Sequence, residues 1–187
     1  MINHYTAAKR LRSDDAYTPD GKAGRRPDYA VTVYSKIIKA LFPDVPLVIG
    51  GIEASLRRYA HYDYWSDSLM PSVLVSSGAD LLVYGMGERP IVAIADTLQN
   101  GGNLYEIPQV AYFQKGKSPI EEENTIQLHS YEKVLNDKKL FIKNFDVIEV
   151  QANKLSPKRI VEPYREGRVI VNPPYPPATT QQMDEIY

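Results

Sequence analysis

Two short runs of apolar residues, each ended by glycine, set the pattern of the first half of the chain. They cover residues 47–50 and 81–84, and the second leads directly into Gly85. Neither run alternates between apolar and polar positions, which is typical of a strand buried on both faces of a sheet. Polar residues follow each run. We therefore predict two βα units in series, with mostly parallel strands.

The turns after these two strands are expected to meet at one edge of the sheet. Binding sites in open α/β sheets form where strands give way to loops. Glycine at such a turn lets the backbone bend sharply and lets a ligand approach closely. We predict that the residues of both turns share one rim, formed by Gly50, Gly51, Glu53, Ser55, Arg57, Gly85, Gly87, Glu88 and Arg89.

Apolar residues at helical spacing predict amphipathic helices around this sheet. The predicted helices cover 28–42, 53–59, 69–77, 90–100 and 137–153, and a short one follows Ser156 and ends at Gly167. The helix over 53–59 would bring Glu53 and Arg57 together, because residues four apart are neighbours on a helix. Further strands are predicted at 110–113, on the sheet edge, and at 125–128 and 168–171.

Shifts in composition divide the chain into four segments. Residues 1–27 are a polar, turn-rich arm, interpreted either as a solvated loop or as an arm folded over a neighbouring site. Residues 28–113 are predicted to form an α/β domain, to which 114–171 add further α/β elements after a charged connection at 114–124. Residues 172–187 begin with a proline-rich stretch that predicts an extended linker.

The overall charge gives no sign of a nucleic-acid or membrane partner. Lys and Arg number 22 and Asp and Glu 23, so the net charge is -1. No apolar run approaches the roughly 20 residues of a membrane span. The absence of cysteine excludes disulfides, thiolate metal sites and cysteine nucleophiles. We expect a cytoplasmic protein.

A dense group of aromatic and hydrogen-bonding side chains occupies residues 59–67. One interpretation makes His61 and Asp63 or Asp67 an acid/base pair. In the other, the aromatic rings pack the loop against the domain and their polar tips find partners, as structural networks commonly mimic sites. Tyr62, Trp65 and Asp67 of this group join the predicted rim.

Longer motifs resemble a known family. PLVIGGIEAS at 46–55 and GADLLVYGMGERP at 78–90 resemble the second half of the cobalamin-binding-type domain that precedes many radical SAM cores. YTAAKRLRSDDAYTPDG at 5–21, GIEASLRR at 51–58, AHYDYWSD at 60–67 and VNPP at 171–174 together resemble the N-terminal region of YgiQ-type radical SAM proteins. The resemblance covers nearly the whole chain, and the first and third of these four blocks are long and unusual.

The resemblance implies an α/β, Rossmann-like or cobalamin-binding-like fold: a mostly parallel sheet with flanking helices, followed by a C-terminal helical and extended segment. In this family a Cys-x3-Cys-x2-Cys motif binds a [4Fe-4S] cluster, whose fourth iron chelates S-adenosylmethionine for cleavage to a 5'-deoxyadenosyl radical. This chain has no cysteine. The resemblance therefore implies that both cofactors belong to a parent protein whose core follows residue 187, and that the chain lacks the domain's first βα unit. No catalytic, cofactor or metal site is expected within these residues.

The resemblance does not extend to cobalamin, because the cobalamin-ligating Asp-x-His-x-x-Gly motif of classical domains is missing and His61 lies in His-Tyr-Asp instead. The implied function is an accessory domain whose rim caps or shapes the active site of a radical SAM core in the same polypeptide. The alternative is a stand-alone α/β module that binds a nucleotide or another small anion. A scaffold that only contacts other domains, and a homo-oligomer paired at an open sheet edge, are further alternatives.

Overall fold

The computed structural model describes residues 4–116 and 123–186. Within these residues a six-stranded sheet carries helices on both faces, and a two-stranded hairpin lies outside it. The strands are β1 Val48–Ile49, β2 His61–Asp63, β3 Ser68–Met70, β4 Leu81–Val83, β5 Val110–Lys115, β6 Thr125–Gln127, β7 Arg159–Tyr164 and β8 Gly167–Val171. The helices are α1 Ala30–Leu41, α2 Gly51–Leu56, α3 Val73–Ser77, α4 Glu88–Asn100, α5 Tyr131–Asn136, α6 Lys138–Ala152 and α7 Thr180–Asp184.

The sheet has the order β1-β4-β5-β8-β7-β6. The predicted α/β class, with a sheet flanked by helices, is confirmed. The two strands first recognised in the sequence, β1 and β4, are parallel neighbours, as are β6 and β7. The three pairs between them, β4–β5, β5–β8 and β7–β8, are antiparallel, so the sheet is mixed. Strands from before and after residue 114 thus form one sheet.

The core lies on both faces of this sheet, and β4 contributes to both. Leu82 packs on one face with residues of α3 and β8, whereas Leu81 and Val83 pack on the other face with Ile94 of α4. All three β4 residues are buried. This explains why the run carries no polar residue, since a central strand has no face open to water.

Two predicted helices were wrong in local structure, and each of the two segments contains a proline. The predicted helix over 69–77 is split, because Pro71 separates β3 from α3 and a proline cannot continue the hydrogen-bonding pattern. The predicted helix after Ser156 is strand β7, which contains Pro163. At Pro163 the strand pairs only with β8, since β6 ends opposite Val161, so the missing amide hydrogen costs no ladder bond on that side.

The predicted edge position of the strand at 110–113 was also wrong. Strand β5 lies inside the sheet, between β4 and β8. Its partner β8 lies more than fifty residues further along the chain, as in the pair Ala111–Val171. No local sequence pattern predicts a pairing over that distance. The edges are formed by β1 and β6. The predicted connection at 114–124 falls partly outside the described residues.

One charged residue of β7 is fully buried. Glu162 is 1% exposed, and its carboxylate accepts hydrogen bonds from the Ala60 amide (2.9 Å) and the Tyr164 hydroxyl (2.7 Å). The Tyr164 oxygen in turn accepts from the Ser72 amide at 2.9 Å. Among the described residues no cation pairs with Glu162. Burial raises the pKa of Glu162 to about 7, against the opposing effect of these hydrogen bonds.

Candidate functional site

The turns after β1 and β4 meet at one edge of the sheet, as their parallel pairing requires. Gly51 and Gly85 both have left-handed backbones, with φ of 79° and 69°. The Gly85 amide donates to the Ser55 hydroxyl at 3.3 Å, which joins the two turns. A Cβ on Gly50 would lie 3.3 Å from the Val83 carbonyl oxygen, so glycine permits this close packing of the two turns.

Gln109 fixes the turn after β4 to the proline-rich segment. Its side-chain amide donates to the backbone carbonyls of Tyr84 (2.7 Å) and Met86, and its own backbone amide donates to the Pro173 carbonyl at 2.8 Å. Gln109 adopts a left-handed backbone with φ 65°, which is uncommon for a residue other than glycine. The side chain and the backbone of one residue therefore together connect the end of β4 to the segment after β8.

A cavity of about 580 Å³ opens between α2, the β2–β3 hairpin and the start of α1. Its size falls within the range of roughly 300–1,000 Å³ that is usual for small-molecule sites. The walls combine charged and aromatic side chains, among them Glu53, Arg57, His61, Tyr62, Asp63 and Trp65. We refer to it as the hairpin cavity.

Arg57 is the central cation of the hairpin cavity. Its guanidinium lies 3.1 Å from the Glu53 carboxylate, which confirms the predicted pairing on α2, and 3.6 Å from the Asp63 carboxylate. The Tyr29 ring lies 5.4 Å from the guanidinium carbon, within the range of a cation–π contact. Arg57 thus links α2, the hairpin and the residue that precedes α1.

Asp63 is held as a carboxylate. Its side chain is 2% exposed and accepts hydrogen bonds from the Tyr29 hydroxyl (2.7 Å) and from both the amide and the hydroxyl of Ser66 (2.9 and 2.7 Å). Burial by itself would raise the pKa of Asp63. The bonds from Ser66 and Tyr29, together with the charge of Arg57, outweigh it and hold the pKa below its usual value.

The His61 ring is bonded to the backbone, and not to either of the aspartates with which one interpretation of the sequence paired it. Its Nδ1 lies 3.2 Å from the Tyr59 carbonyl, and among the described residues no hydrogen bond or ion pair joins His61 to Asp63 or Asp67. A carbonyl oxygen only accepts, so Nδ1 carries the proton in the neutral ring. Burial lowers the pKa of His61, which favours that neutral form and leaves Nε2 as an acceptor beside the cavity.

The N-terminal arm packs against the hairpin. The Tyr5 ring lies 5.1 Å from the Trp65 ring, Lys9 Nζ donates to the Trp65 carbonyl at 3.3 Å, and the Tyr64 hydroxyl donates to the Ala7 carbonyl at 3.2 Å. Of the two interpretations of the arm, the structure shows the folded one for these residues. The arm therefore packs against Trp65, which also lines the hairpin cavity.

A group of polar and charged side chains around the buried Asp15 connects the start of the arm with its end. His4 is 3% exposed, with Nε2 at 3.2 Å from Asp15 and Nδ1 at 3.1 Å from Asp28. Arg26 donates two hydrogen bonds to the fully buried Asp15 carboxylate, at 2.8 and 2.7 Å. These bonds from Arg26 lower the pKa of Asp15 against the effect of burial.

Replacing Asp15 by Asn is expected to release the arm. The change removes the charge that Arg26 and His4 share and leaves the Arg26 fork without its carboxylate. Limited trypsin digestion should cleave the variant faster within the arm than the unmodified chain. Asp14→Asn is the matched control, because Asp14 is exposed and its side chain makes none of these contacts. Equal cleavage of both variants would contradict this role of Asp15.

The twelve predicted rim residues do not all face one site. Glu53, Arg57, Tyr62 and Trp65 line the hairpin cavity. Gly85, Glu88 and Arg89 line a smaller cavity of about 250 Å³ with the proline-rich segment. The remaining five, Gly50, Gly51, Ser55, Asp67 and Gly87, line neither of these two cavities and act in turns or local contacts.

Tyr29 and Gln109 are site residues that the sequence did not single out, and Ser66 was noted only as a member of the group at residues 59–67. Tyr29 and Ser66 hold Asp63, and Gln109 holds the turn after β4. The side chains of Tyr29 and Gln109 form hydrogen bonds with residues more than twenty positions away in the chain. No local motif indicates such contacts. For Ser66 a signal existed, because a serine three residues after an aspartate is placed to bond back to it.

The donor atoms of this chain do not fit an iron–sulfur cluster. Thiolates hold such clusters, and the sequence has no cysteine. Among the described residues, no group of three or more His, Asp or Glu side chains is arranged to hold a metal ion. In the same part of the chain, every helix is too short or too polar for a membrane span.

Comparison with known proteins gives one family. The model of the family described as "Radical SAM N-terminal" matches residues 1–187. A UPF0313 protein of Porphyromonas gingivalis is 51% identical over 191 residues, and one of Bacteroides thetaiotaomicron is 47% identical over 201 residues. A third, from Clostridium perfringens, is 42% identical.

These alignments cover 100% of this chain but only 30%, 32% and 28% of the three relatives. The chain thus spans less than a third of the length of each. No solved structure matches it.

Proposed function

Because the chain belongs to the Radical SAM N-terminal family, we propose that it is the accessory domain of a radical SAM protein whose cluster-binding core lies elsewhere in the same polypeptide. The observation that carries this proposal is the family match over all 187 residues, combined with relatives about three times as long. The absence of cysteine from this chain agrees with it, since the [4Fe-4S] cluster and S-adenosylmethionine would be held by the core.

The hairpin cavity is the part of this domain that we assign to the active site of the parent protein. It offers a cation with two fixed carboxylates, a neutral histidine with a free acceptor, and the Trp65 ring. Such groups bind and orient a substrate rather than react with it. In this assignment residues 1–27 are the arm that supports the cavity, residues 28–171 are the α/β domain, and 172–187 lead toward the core.

Exposed apolar residues of α1 support contact with another part of the polypeptide. Ile37 and Leu41 lie four residues apart on α1 and are 50% and 68% exposed, and Phe42, directly after the helix, is 57% exposed. Apolar groups of this kind on a water-facing surface commonly mark interaction sites. Contact through α1 would hold the domain in a fixed position relative to the core.

Trp65→Ala in the full-length parent protein is expected to reduce turnover of S-adenosylmethionine roughly tenfold, because the ring that shapes the cavity wall is lost. The measurement is release of 5'-deoxyadenosine after anaerobic reconstitution, with iron content determined for each variant. Phe145→Ala is the control, since Phe145 is an exposed aromatic on α6 that does not line the cavity.

Each outcome of this experiment addresses a separate part of the proposal. Unchanged turnover in Trp65→Ala, at equal iron content, would remove the cavity from the active site. A full-length protein that binds no iron and cleaves no S-adenosylmethionine would overturn the proposal as a whole. Binding of a nucleotide by the 187-residue chain at micromolar concentration would favour the stand-alone binding module instead.

A further inference from the structure

Arg58 differs from its neighbour Arg57 in having no acidic partner. Among the described residues no Asp or Glu forms an ion pair with it. Its Nη1 donates to the Ser55 carbonyl. Its Nε is buried and has no acceptor among the described residues. A buried donor left without an acceptor is costly and calls for a physical explanation.

Two tyrosine rings fix the position of this guanidinium. The Arg58 guanidinium carbon lies 5.0 Å from the centre of the Tyr59 ring and 4.9 Å from that of Tyr84. Burial raises the pKa of Tyr84 to about 12, opposed by Arg58, so the ring is a neutral phenol rather than a counter-ion. The Tyr84 hydroxyl is itself engaged, since it donates to the Asn172 carbonyl. The cation is held in place without being neutralised.

Arg58 lines a cavity of about 160 Å³ that is separate from the hairpin cavity. Lys158 and Gln151 also line it, and no acidic residue is among its lining side chains. The volume is below the roughly 300–1,000 Å³ of sites that enclose drug-sized ligands. It suits a small anion, or the charged end of a larger group, better than a nucleotide.

We infer that this cavity is an anion site in which the Arg58 guanidinium binds a carboxylate or a phosphate. A rigid guanidinium presents its N–H groups in a planar fork that matches either anion. The stacked tyrosines lower the cost of binding, because the side chain is ordered before the anion arrives. The site is independent of the proposed function, since it shares no lining residue with the hairpin cavity.

The test is a titration of the 187-residue chain with inorganic phosphate and with acetate, followed by NMR of the arginine Nε–H signals and the backbone amides. A saturable shift of the Arg58 Nε–H signal is expected. Arg58→Gln should weaken binding, read from the amides around the cavity, by about tenfold or more, since a hydrogen bond to a charged group contributes roughly 1.5–3 kcal/mol. Arg58→Lys keeps the charge but not the fork and should show intermediate affinity.

Arg25→Gln is the matched control, because Arg25 is exposed and lies outside this cavity. The inference is overturned if saturating phosphate and acetate leave the Arg58 signal unmoved, or if Arg25→Gln weakens binding as much as Arg58→Gln. The same titration of the longer parent polypeptide identifies the source of the anion. If the site takes a free anion, added anion shifts the Arg58 signal in the parent polypeptide too. If a carboxylate of the polypeptide itself occupies the site, the signal does not respond to added anion.

Discussion

Raising the pH from about 5 to about 8 is expected to destabilise the fold through Glu162, and Glu162→Gln is expected to remove that dependence. The pKa of this carboxyl group is raised from 4.5 to about 7, chiefly by burial. The folded state therefore binds a proton more tightly than the unfolded state. Below about pH 4.5 the group is protonated in both states and imposes no penalty.

Between pH 4.5 and 7 the unfolded chain ionises first, so stability falls as the pH rises, and above 7 the penalty is complete. A pKa difference of one corresponds to about 1.36 kcal/mol, which gives a total of about 3 kcal/mol for this group. The measurement is urea denaturation of the unmodified chain and of Glu162→Gln at several pH values across this range.

Glu166→Gln is the control for Glu162→Gln, because Glu166 is exposed two residues beyond the end of β7. This control should keep the pH dependence of the unmodified chain. If Glu162→Gln also keeps the pH dependence, another group is responsible and Glu162 is not its source. A change in absolute stability alone would not decide the matter, because the amide also alters the bond with Tyr164.

Gly167→Ala is expected to destabilise the fold by about 3 kcal/mol, through steric overlap within the sheet. A Cβ at this position would lie 2.2 Å from the Gln114 backbone oxygen and 2.9 Å from the Phe113 ring. Both neighbours belong to β5, which pairs with β8 along its whole length. Since the nearest atom is backbone, the two strands would have to separate.

Thermal unfolding measures this effect, and for a chain of this length the loss corresponds to a fall in Tm of roughly 10 °C. Gly87→Ala provides the comparison, because its Cβ would make an ordinary 3.7 Å contact with Val83 and its φ of −85° suits any residue. Its cost should stay below about 1 kcal/mol, as expected for alanine at the start of a helix. An unchanged Tm in Gly167→Ala would show that β5 and β8 do not approach as closely as described.

The parts of the fold that the sequence predicted are those set by neighbouring residues. Strands β1 and β4 were recognised because a strand that is buried on both faces is apolar at consecutive positions. The ion pair between Glu53 and Arg57 follows from helical spacing alone. The helix predicted over 69–77 ends at Ser77 as expected, because Gly78 follows it with a left-handed φ of 71°.

The parts that could not be predicted depend on residues far apart in the chain. Glu162 has the pattern of a polar position in a helix or a strand, and no neighbouring residue indicates that the Ala60 amide, 102 residues away, donates a hydrogen bond to it. The antiparallel pairing of β5 with β8 could not be predicted for the same reason, because the paired residues lie more than fifty positions apart. The helix predicted after Ser156 was wrong because its start signal is local, whereas the pairing of β7 with β6 and β8 is not.

The candidate site also combines features that neighbouring residues predict with features that depend on distant parts of the chain. The sequence indicated that the turns after β1 and β4 meet, since that follows from strand direction. It did not indicate that the α2 and hairpin residues Glu53, Arg57, Tyr62 and Trp65 face one cavity while Gly85, Glu88 and Arg89 face another. Which cavity a side chain faces is decided by the path of the hairpin and of the proline-rich segment, and both are tertiary features.

The hydrogen bonds of Gln109 have a mechanical consequence. The segment after β8 is attached to the end of β4 and the turn that follows through Gln109, whose own backbone is in a left-handed conformation, and through Tyr84 and Arg89, which donate to the Asn172 and Pro176 carbonyls. A pull or twist applied to that segment is transmitted to Gly85 and, through the Ser55 hydroxyl, to α2. Tension on the proline-rich segment is therefore expected to reach the carboxyl edge of the sheet through the contacts of Gln109, Tyr84 and Arg89.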